Sequence, residues 1–279
     1  MPEHDLLTAL GFIALGLGTG AFGTLIGAGG GFILMPVLLM LFPHDDPALL
    51  TAISLAVIFA NAASGTEAYA MMKRVDYASG WRFALAATPG AVLGALSTHV
   101  FPRRAFDVLF GALLVAGALY LLLRRRLENR GEGDCPPGAA HRHLVDSSGE
   151  AYDYCFNMKT GLRISVGVGF LSSLLGIGGG IIHVPAMVYV LGFPVHVATA
   201  TSHFVLACMT LAGTLTHVFT GAFHHGAHRT IYLAIGVLAG AQMGAHLSRR
   251  VNSSWIMKSL AVALALAGLR ILIQGARGG

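Results

Sequence analysis

Charge is what this sequence has least of. Its 18 Lys and Arg plus 13 Asp and Glu make only 11% of 279 residues, where a soluble domain carries about 25%. A water-facing globular protein is thereby excluded. The charge is also missing in blocks: residues 6–42, 48–66, 83–101, 164–228 and 231–248 contain no Asp, Glu, Lys or Arg. A bilayer core takes about 20 apolar residues per helical crossing, and these blocks meet or approach that length. The mean hydropathy of +0.70 agrees. Three cysteines, Cys135, Cys155 and Cys208, suggest no disulfide framework. The opening Met1-Pro-Glu-His-Asp5 lacks the basic region of a secretory signal, so the apolar run from Leu6 reads as a retained helix. No Gly-Lys-Ser or Gly-Lys-Thr follows a glycine cluster, so there is no Walker site. The net charge of +5 comes from basic residues between apolar blocks, where they set topology rather than bind nucleic acid.

What is present is one pattern written twice. Gly27-Ala-Gly-Gly-Gly-Phe-Ile-Leu-Met-Pro36 matches Gly176-Ile-Gly-Gly-Gly-Ile-Ile-His-Val-Pro185 at six of ten positions. Thr51-Ala-Ile-Ser54 matches Thr199-Ala-Thr-Ser202, Ala62-Ala-Ser-Gly-Thr66 corresponds to Thr210-Leu-Ala-Gly-Thr214, and Gly90-Ala-Val-Leu-Gly-Ala95 matches Gly240-Ala-Gln-Met-Gly-Ala245. The chain therefore divides into a first transmembrane repeat (1–123), a polar linker (124–163) and a second repeat (164–279). The linker is rich in charge, Pro, Gly and His, and its composition predicts poor packing and a cytoplasmic location beside Arg124-Arg-Arg126. The fold class is all-α, a polytopic membrane protein of two homologous helical repeats with Gly-broken helices or hairpins.

Each repeat holds five apolar segments: 6–26, 31–42, 49–72, 82–100 and 105–123, then 164–176, 180–191, 197–221, 230–247 and 254–273. Residues 6–42 as one helix would span about 55 Å, too long for one crossing of a core of about 30 Å and short for two. A hairpin or broken helix with its turn inside the protein fits that length. Counting Lys and Arg gives 13 inside and 5 outside for five crossings per repeat, and the same split for four. Length favours five, which makes the repeats inverted.

Candidate site residues come from the breaks and the segment after each. Consecutive glycines are poor helix formers, so Gly29, Gly30, Gly31 and Gly178, Gly179, Gly180 predict two unwound turns. Backbone N–H groups freed there, beside a following helix N-terminus, can bind an anion, and transporters place substrate at such paired breaks. Ser54 and Ser202 lie just past the two breaks. Asn61 must be paired if buried, and His203 and His217 are ionisable groups inside the apolar zone. Gly18-Thr-Gly-Ala-Phe-Gly23 spells a dinucleotide motif but lacks a preceding strand, so it reads as helix packing. Cys135, His141, His143 and Cys155, and the loop histidines His224, His225 and His228, lack compact zinc spacing and read as exposed residues without a ligand role. No catalytic group, metal or cofactor is assigned.

With these motifs the sequence resembles the TauE/SafE sulfite exporter family. The resemblance rests on Gly-x-Gly-Gly-Gly-x-x-x-x-Pro in both halves, on Thr199-Ala-Thr-Ser-His-Phe-Val205 followed by Ala212-Gly-Thr-Leu-Thr-His217, and on Pro89-Gly-Ala-Val-Leu-Gly94. It covers nearly the whole chain apart from the linker. His203 and the long His-containing linker depart from the family pattern. The resemblance implies a transporter, not an enzyme, that moves sulfite, thiosulfate or an organosulfonate across the cell membrane of a prokaryote by alternating access. The expected partners are a small anionic substrate and the lipid bilayer, without nucleic acid, and a homo-oligomer is admitted. The alternative reading is a metal-cation transporter using the intramembrane and loop histidines.

Overall fold

Helices form where the apolar blocks lie. The computed structural model describes residues 6–100, 103–123, 135, 137–222 and 226–277. Its first half contains α1 (Leu6–Ile26), α2 (Gly31–Leu41), α3 (Pro47–Met71), α4 (Tyr77–Ser97) and α5 (Arg103–Leu123). A two-stranded ribbon follows, β1 (Ala140–Val145) with β2 (Ala151–Phe156), then α6 (Met158–Leu175), α7 (Gly180–Tyr189), α8 (Val195–Phe219), α9 (Ala227–Ser248) and α10 (Ser253–Arg277). The starts are capped where the sequence allows it. Asp46 accepts the Ala48 N–H with Pro47 behind it, Asp76 accepts the Ser79 N–H, and Asn157 accepts the Thr160 N–H. That last cap is why α6 begins at Met158 rather than at the predicted 164. Four helices, α1, α3, α8 and α9, are each long and apolar enough to cross a membrane, and the protein is an all-α polytopic membrane protein.

Both glycine runs are turns of helical hairpins. Phe42, just past α2, stacks on Phe12 near the start of α1 at 6.3 Å, so α2 doubles back along α1. In the second half Gly161 at the start of α6 lies against Leu191 beyond the end of α7, and Ser165 Oγ is 3.3 Å from His183 Nε2.

The halves are interleaved at glycines. In α9, Gly236 meets the Ile13 carbonyl, Gly240 that of Leu17 and Gly244 that of Ala21. In the reciprocal pair α4·α6, Gly90 meets the Val166 carbonyl, Gly94 that of Phe170, and Gly169 of α6 that of Ala87. Any side chain at these positions would strike backbone. Small residues at four-residue spacing allow this approach, which suits a bilayer that gives apolar helices no hydrophobic reason to associate. The motif at 18–23 is spent the same way: Gly20 packs on Val237 and Gly23 on Gly29 and Gly30.

The linker corrects two expectations. Arg124-Arg-Arg126 lies outside the described residues, but residues 140–156 form a well-packed antiparallel ribbon, with Tyr152, Tyr154 and Phe156 buried. The alternation in Ala151-Tyr-Asp-Tyr-Cys-Phe156 builds an inner aromatic face, which composition alone hid. Tyr154 and Phe156 pack on Phe193, with ring centroids 4.5 and 4.7 Å away. Arg74 donates to Asp146 Oδ2 through Nε (3.0 Å) and Nη2 (2.9 Å). The Tyr154 hydroxyl donates to Asp76 Oδ2 at 2.9 Å. Cys135 and Cys155 are joined as a disulfide, against the expectation of none, and Cys208 is free.

The Arg74–Asp146 pair pins the ribbon to the α3–α4 turn. Burial alone would push the Asp146 carboxyl up. Hydrogen bonds from Ser148, from Arg74 and from the Glu150 N–H outweigh it and hold it at about 2, below its ordinary 3.8. A carboxyl depressed on folding adds stability above the unfolded value and loses it as pH falls through the folded one. Hydrogen exchange across 140–156 is therefore expected to accelerate as pH drops from 3.8 towards 2, while the helices stay protected. Asp146→Asn, which leaves Arg74 buried without its counter-charge, should open the ribbon at neutral pH at a cost of about 3–5 kcal/mol.

Candidate functional site

The two breaks meet at the centre of the molecule. In the first, Gly27, Gly29 and Gly30 have φ of +83°, +74° and +79°; in the second, Gly176, Gly178 and Gly179 have +65°, +80° and +68°. Only glycine takes up such a run readily. Gly31 abuts the Ile177 carbonyl, and Gly180 abuts the Gly27 carbonyl and Ala28. The breaks are thus in backbone contact, with Ile58 of α3 wedged against Gly29, Gly31 and Gly178. Helices α2 and α7 begin here, and the Gly30 and Gly31 N–H groups have no backbone acceptor among the described residues. Two helix N-termini near one point make a positive backbone potential without any cationic side chain.

The predicted polar residues surround this contact. Ser54, Asn61, Ser202 and His203 are all fully buried. Ser54 is committed: its Oγ donates to the Gly176 carbonyl at 2.6 Å, tying α3 to the opposite break. Among the described residues its sequence counterpart Ser202 has no hydrogen-bond partner for its Oγ. Asn61 and His203 are brought together by a residue that the sequence reading passed over, Thr24 in the last turn of α1. Thr24 Oγ1 donates to Asn61 Oδ1 at 3.1 Å and lies 3.3 Å from His203 Nε2. The Tyr69 hydroxyl donates to the Thr24 carbonyl at 2.7 Å, and its ring meets the His203 ring edge-on at 5.5 Å. Among the described residues Asn61 Nδ2 and Thr51 Oγ1 have no hydrogen-bond partner. Buried polar groups in native proteins are nearly always bonded, to protein, to water or to a bound ion. Thr24 had one signal in the sequence: it stands three residues before the first break, where Ser173 stands before the second.

This polar cluster exists on one side only. Aligned on Gly27 with Gly176 and on Ser54 with Ser202, Thr24 corresponds to Ser173, Asn61 to Met209 and His203 to Leu55. The geometry follows the alignment, since Gly65 faces His203 and Thr24, and Gly213 faces Ser173 and Leu55. An amide from the first repeat and an imidazole from the second thus converge on one side, where the corresponding pair on the other side is a thioether and an isobutyl group. His217 is buried in α8 outside this cluster. His224 and His225 lie outside the described residues. Two recesses, of about 470 and 350 Å³, lie elsewhere. The larger is lined by Phe22, Arg250 and Trp255, the smaller by Leu113, Ile181, Pro185 and Leu264, and neither includes a predicted site residue.

Comparison with known proteins agrees with this architecture. The family described as sulfite exporter TauE/SafE matches residues 12–271. "Probable membrane transporter protein YunE" of Bacillus subtilis is 33% identical over 273 residues, 94% of this chain and 97% of that one. A probable membrane transporter protein of Methanocaldococcus jannaschii is 24% identical over 280 residues, covering 96% and 95%. No solved structure matches.

The contrast between the two serines is measurable without knowing the substrate. Ser54→Ala removes a made bond and orphans the Gly176 carbonyl, so it should lower the stability of detergent-purified protein by about 1–3 kcal/mol. Ser202→Ala removes an unpartnered hydroxyl and should leave thermal unfolding unchanged or raise its midpoint. Equal losses from both would mean that Ser202 is bonded in the native protein.

Proposed function

Since the chain belongs to the TauE/SafE sulfite exporter family, a family of membrane transporters, we propose that it carries a small sulfur-containing anion such as sulfite, thiosulfate or an organosulfonate, with export as the working direction. The observation that carries this reading is the cluster of buried, unpartnered polar groups beside two helix N-termini. Asn61 Nδ2 and Ser202 Oγ are donors without an acceptor among the described residues. We take the glycines of the two breaks, Gly29, Gly30 and Gly31 with Gly178, Gly179 and Gly180, as the backbone wall of the same site. An anion accepting these bonds would satisfy groups that folding leaves unsatisfied. With no Lys or Arg in residues 6–42, 48–66 or 164–228, it would be held by neutral donors, which favours weak binding and quick release.

His203 adds a second element. With the Thr24 hydroxyl proton committed to Asn61, Thr24 Oγ1 accepts from His203 Nε2, and the same ring lies by the Thr199 and Gly27 carbonyls. If transport is coupled to a proton, this imidazole is the ionisable group of the cluster that would carry it. Transport follows by alternating access, the two halves rocking about a pseudo-two-fold axis in the membrane plane. The ribbon face carries Lys73, Arg74, Arg142, Lys159, Arg163, Arg249 and Arg250, and on this we base its placement in the cytoplasm, in a cell membrane. The cation-transport alternative wants a carboxylate at the centre. Glu67, the acid nearest in sequence, lies exposed on α3.

Purified protein in proteoliposomes, tested with labelled sulfite, thiosulfate, taurine and nickel, distinguishes these readings. Sulfite or thiosulfate flux is expected, with affinity lowered on the order of tenfold in Asn61→Leu and in Ser202→Ala, about 1.4 kcal/mol each. Nickel flux without anion flux would overturn the proposal. Gly30→Val is a poor test of binding, because a side chain there strikes the Thr19 carbonyl and disturbs the hairpin first.

A further inference from the structure

The outer face of the ribbon gathers ligand-type side chains that no packing role requires. Strand pairing sets His141 opposite Cys155 and His143 opposite Asp153. Opposite residues share a face with Cβ atoms about 5 Å apart, so these four stand together, turned away from the buried Tyr152, Tyr154 and Phe156. The turn at Gly138, with φ +80°, returns Cys135 to the same place, its Cα 5.8 Å from that of Cys155. The two sulfurs and a ring nitrogen of His141 all lie within 4.8 Å of one another. Asp153 Oδ1 is 3.7 Å from His141 Nε2 and 2.8 Å from His143 Nδ1. In sequence these residues have no zinc-like spacing; it is the hairpin register that assembles them.

We propose that, with Cys135 and Cys155 reduced, this face binds one zinc-class divalent ion through both thiolates and His141, with Asp153 completing the tetrahedron and His143 orienting Asp153. Two thiolates, an imidazole and a carboxylate form a donor set that suits a tetrahedral borderline-soft ion. The sulfur pair is joined in the structure, and the disulfide and the metal exclude each other. The disulfide opens by exchange with two equivalents of a small thiol, which leave as their own disulfide and supply the two protons of the protein thiols. Metal binding then releases those protons. The disulfide is not what anchors the ribbon, since Arg74–Asp146 and Tyr154–Asp76 do so from its inner face. The site can therefore change occupancy on a fixed platform.

The test uses the full-length protein in detergent, reduced with a phosphine and desalted without oxygen. Titration with cobalt(II) should give about one equivalent bound per chain, with a sulfur-to-cobalt charge-transfer band that zinc bleaches. Cys135→Ser and Cys155→Ser should abolish the band, and His143→Ala should weaken binding on the order of tenfold, as loss of an orienting group does. Loss of the direct ligand in His141→Ala should weaken it further. Cys208→Ser should behave as wild type. Oxidised wild-type protein, with its helical content checked by circular dichroism, should bind no cobalt and so separates loss of ligands from loss of fold. The proposal is overturned if the reduced protein binds no more metal than the oxidised one, or if the charge-transfer band survives in the Cys135→Ser, Cys155→Ser double variant.

Discussion

Backbone must touch backbone for this fold to exist. A bilayer offers apolar helices no solvent to escape from, so dispersion and geometric fit must hold them together. That demands interfaces without side chains in the way. Gly236, Gly240 and Gly244 against α1, and Gly90, Gly94 and Gly169 between α4 and α6, meet the demand. At the centre the same constraint operates without a helix, where Gly31 and Gly180 let the two breaks abut. Everything polar in the core is placed by these contacts. Thr24 reaches Asn61 and His203 only because α1 is held tightly, and Ser54 reaches Gly176 only because the second break lies against α3.

The glycines therefore do two jobs with one property. Their left-handed backbone turns each hairpin, and their lack of a side chain lets the hairpins meet. Packing and function cannot be separated by replacing them, which shifts the burden onto the side chains around them. There the sequence is one-sided: Thr24, Asn61 and His203 gather on one side of the two breaks, and the aligned Ser173, Met209 and Leu55 stand on the other. A transported ion would meet polar side chains on one side of the breaks and apolar ones on the other.

Much of this was written locally. Absence of charge marked the helices, and the glycine runs marked the turns, because one residue type determines each outcome on its own. The ribbon was missed because its determinants are distant or alternate. Arg74 and Asp146 are 72 residues apart, and the inner face of Tyr152, Tyr154 and Phe156 is visible only at a period of two. Linker composition, dominated by the outward residues, pointed the wrong way. Thr24 was overlooked for another reason. A lone threonine in an apolar helix ordinarily bonds back to its own carbonyls, as Thr19 does with Leu15, and only its partners on α3 and α8 distinguish it.

The interleaving of α1 with α9 and of α4 with α6 bears on how the molecule is made. A chain emerging from the ribosome delivers α1 first and α9 almost last. Until then the glycine face of α1, around Gly16 and Gly20, has no partner in the bilayer. The α4 helix waits a shorter time, until α6 follows the ribbon. Neither half can bury these glycine faces by itself, so their closure has to wait for helices of the other half. The ribbon, docked on α3 and α4 before α6 is seated, would act during that interval as the clamp that keeps the first half beside the place where the second must enter.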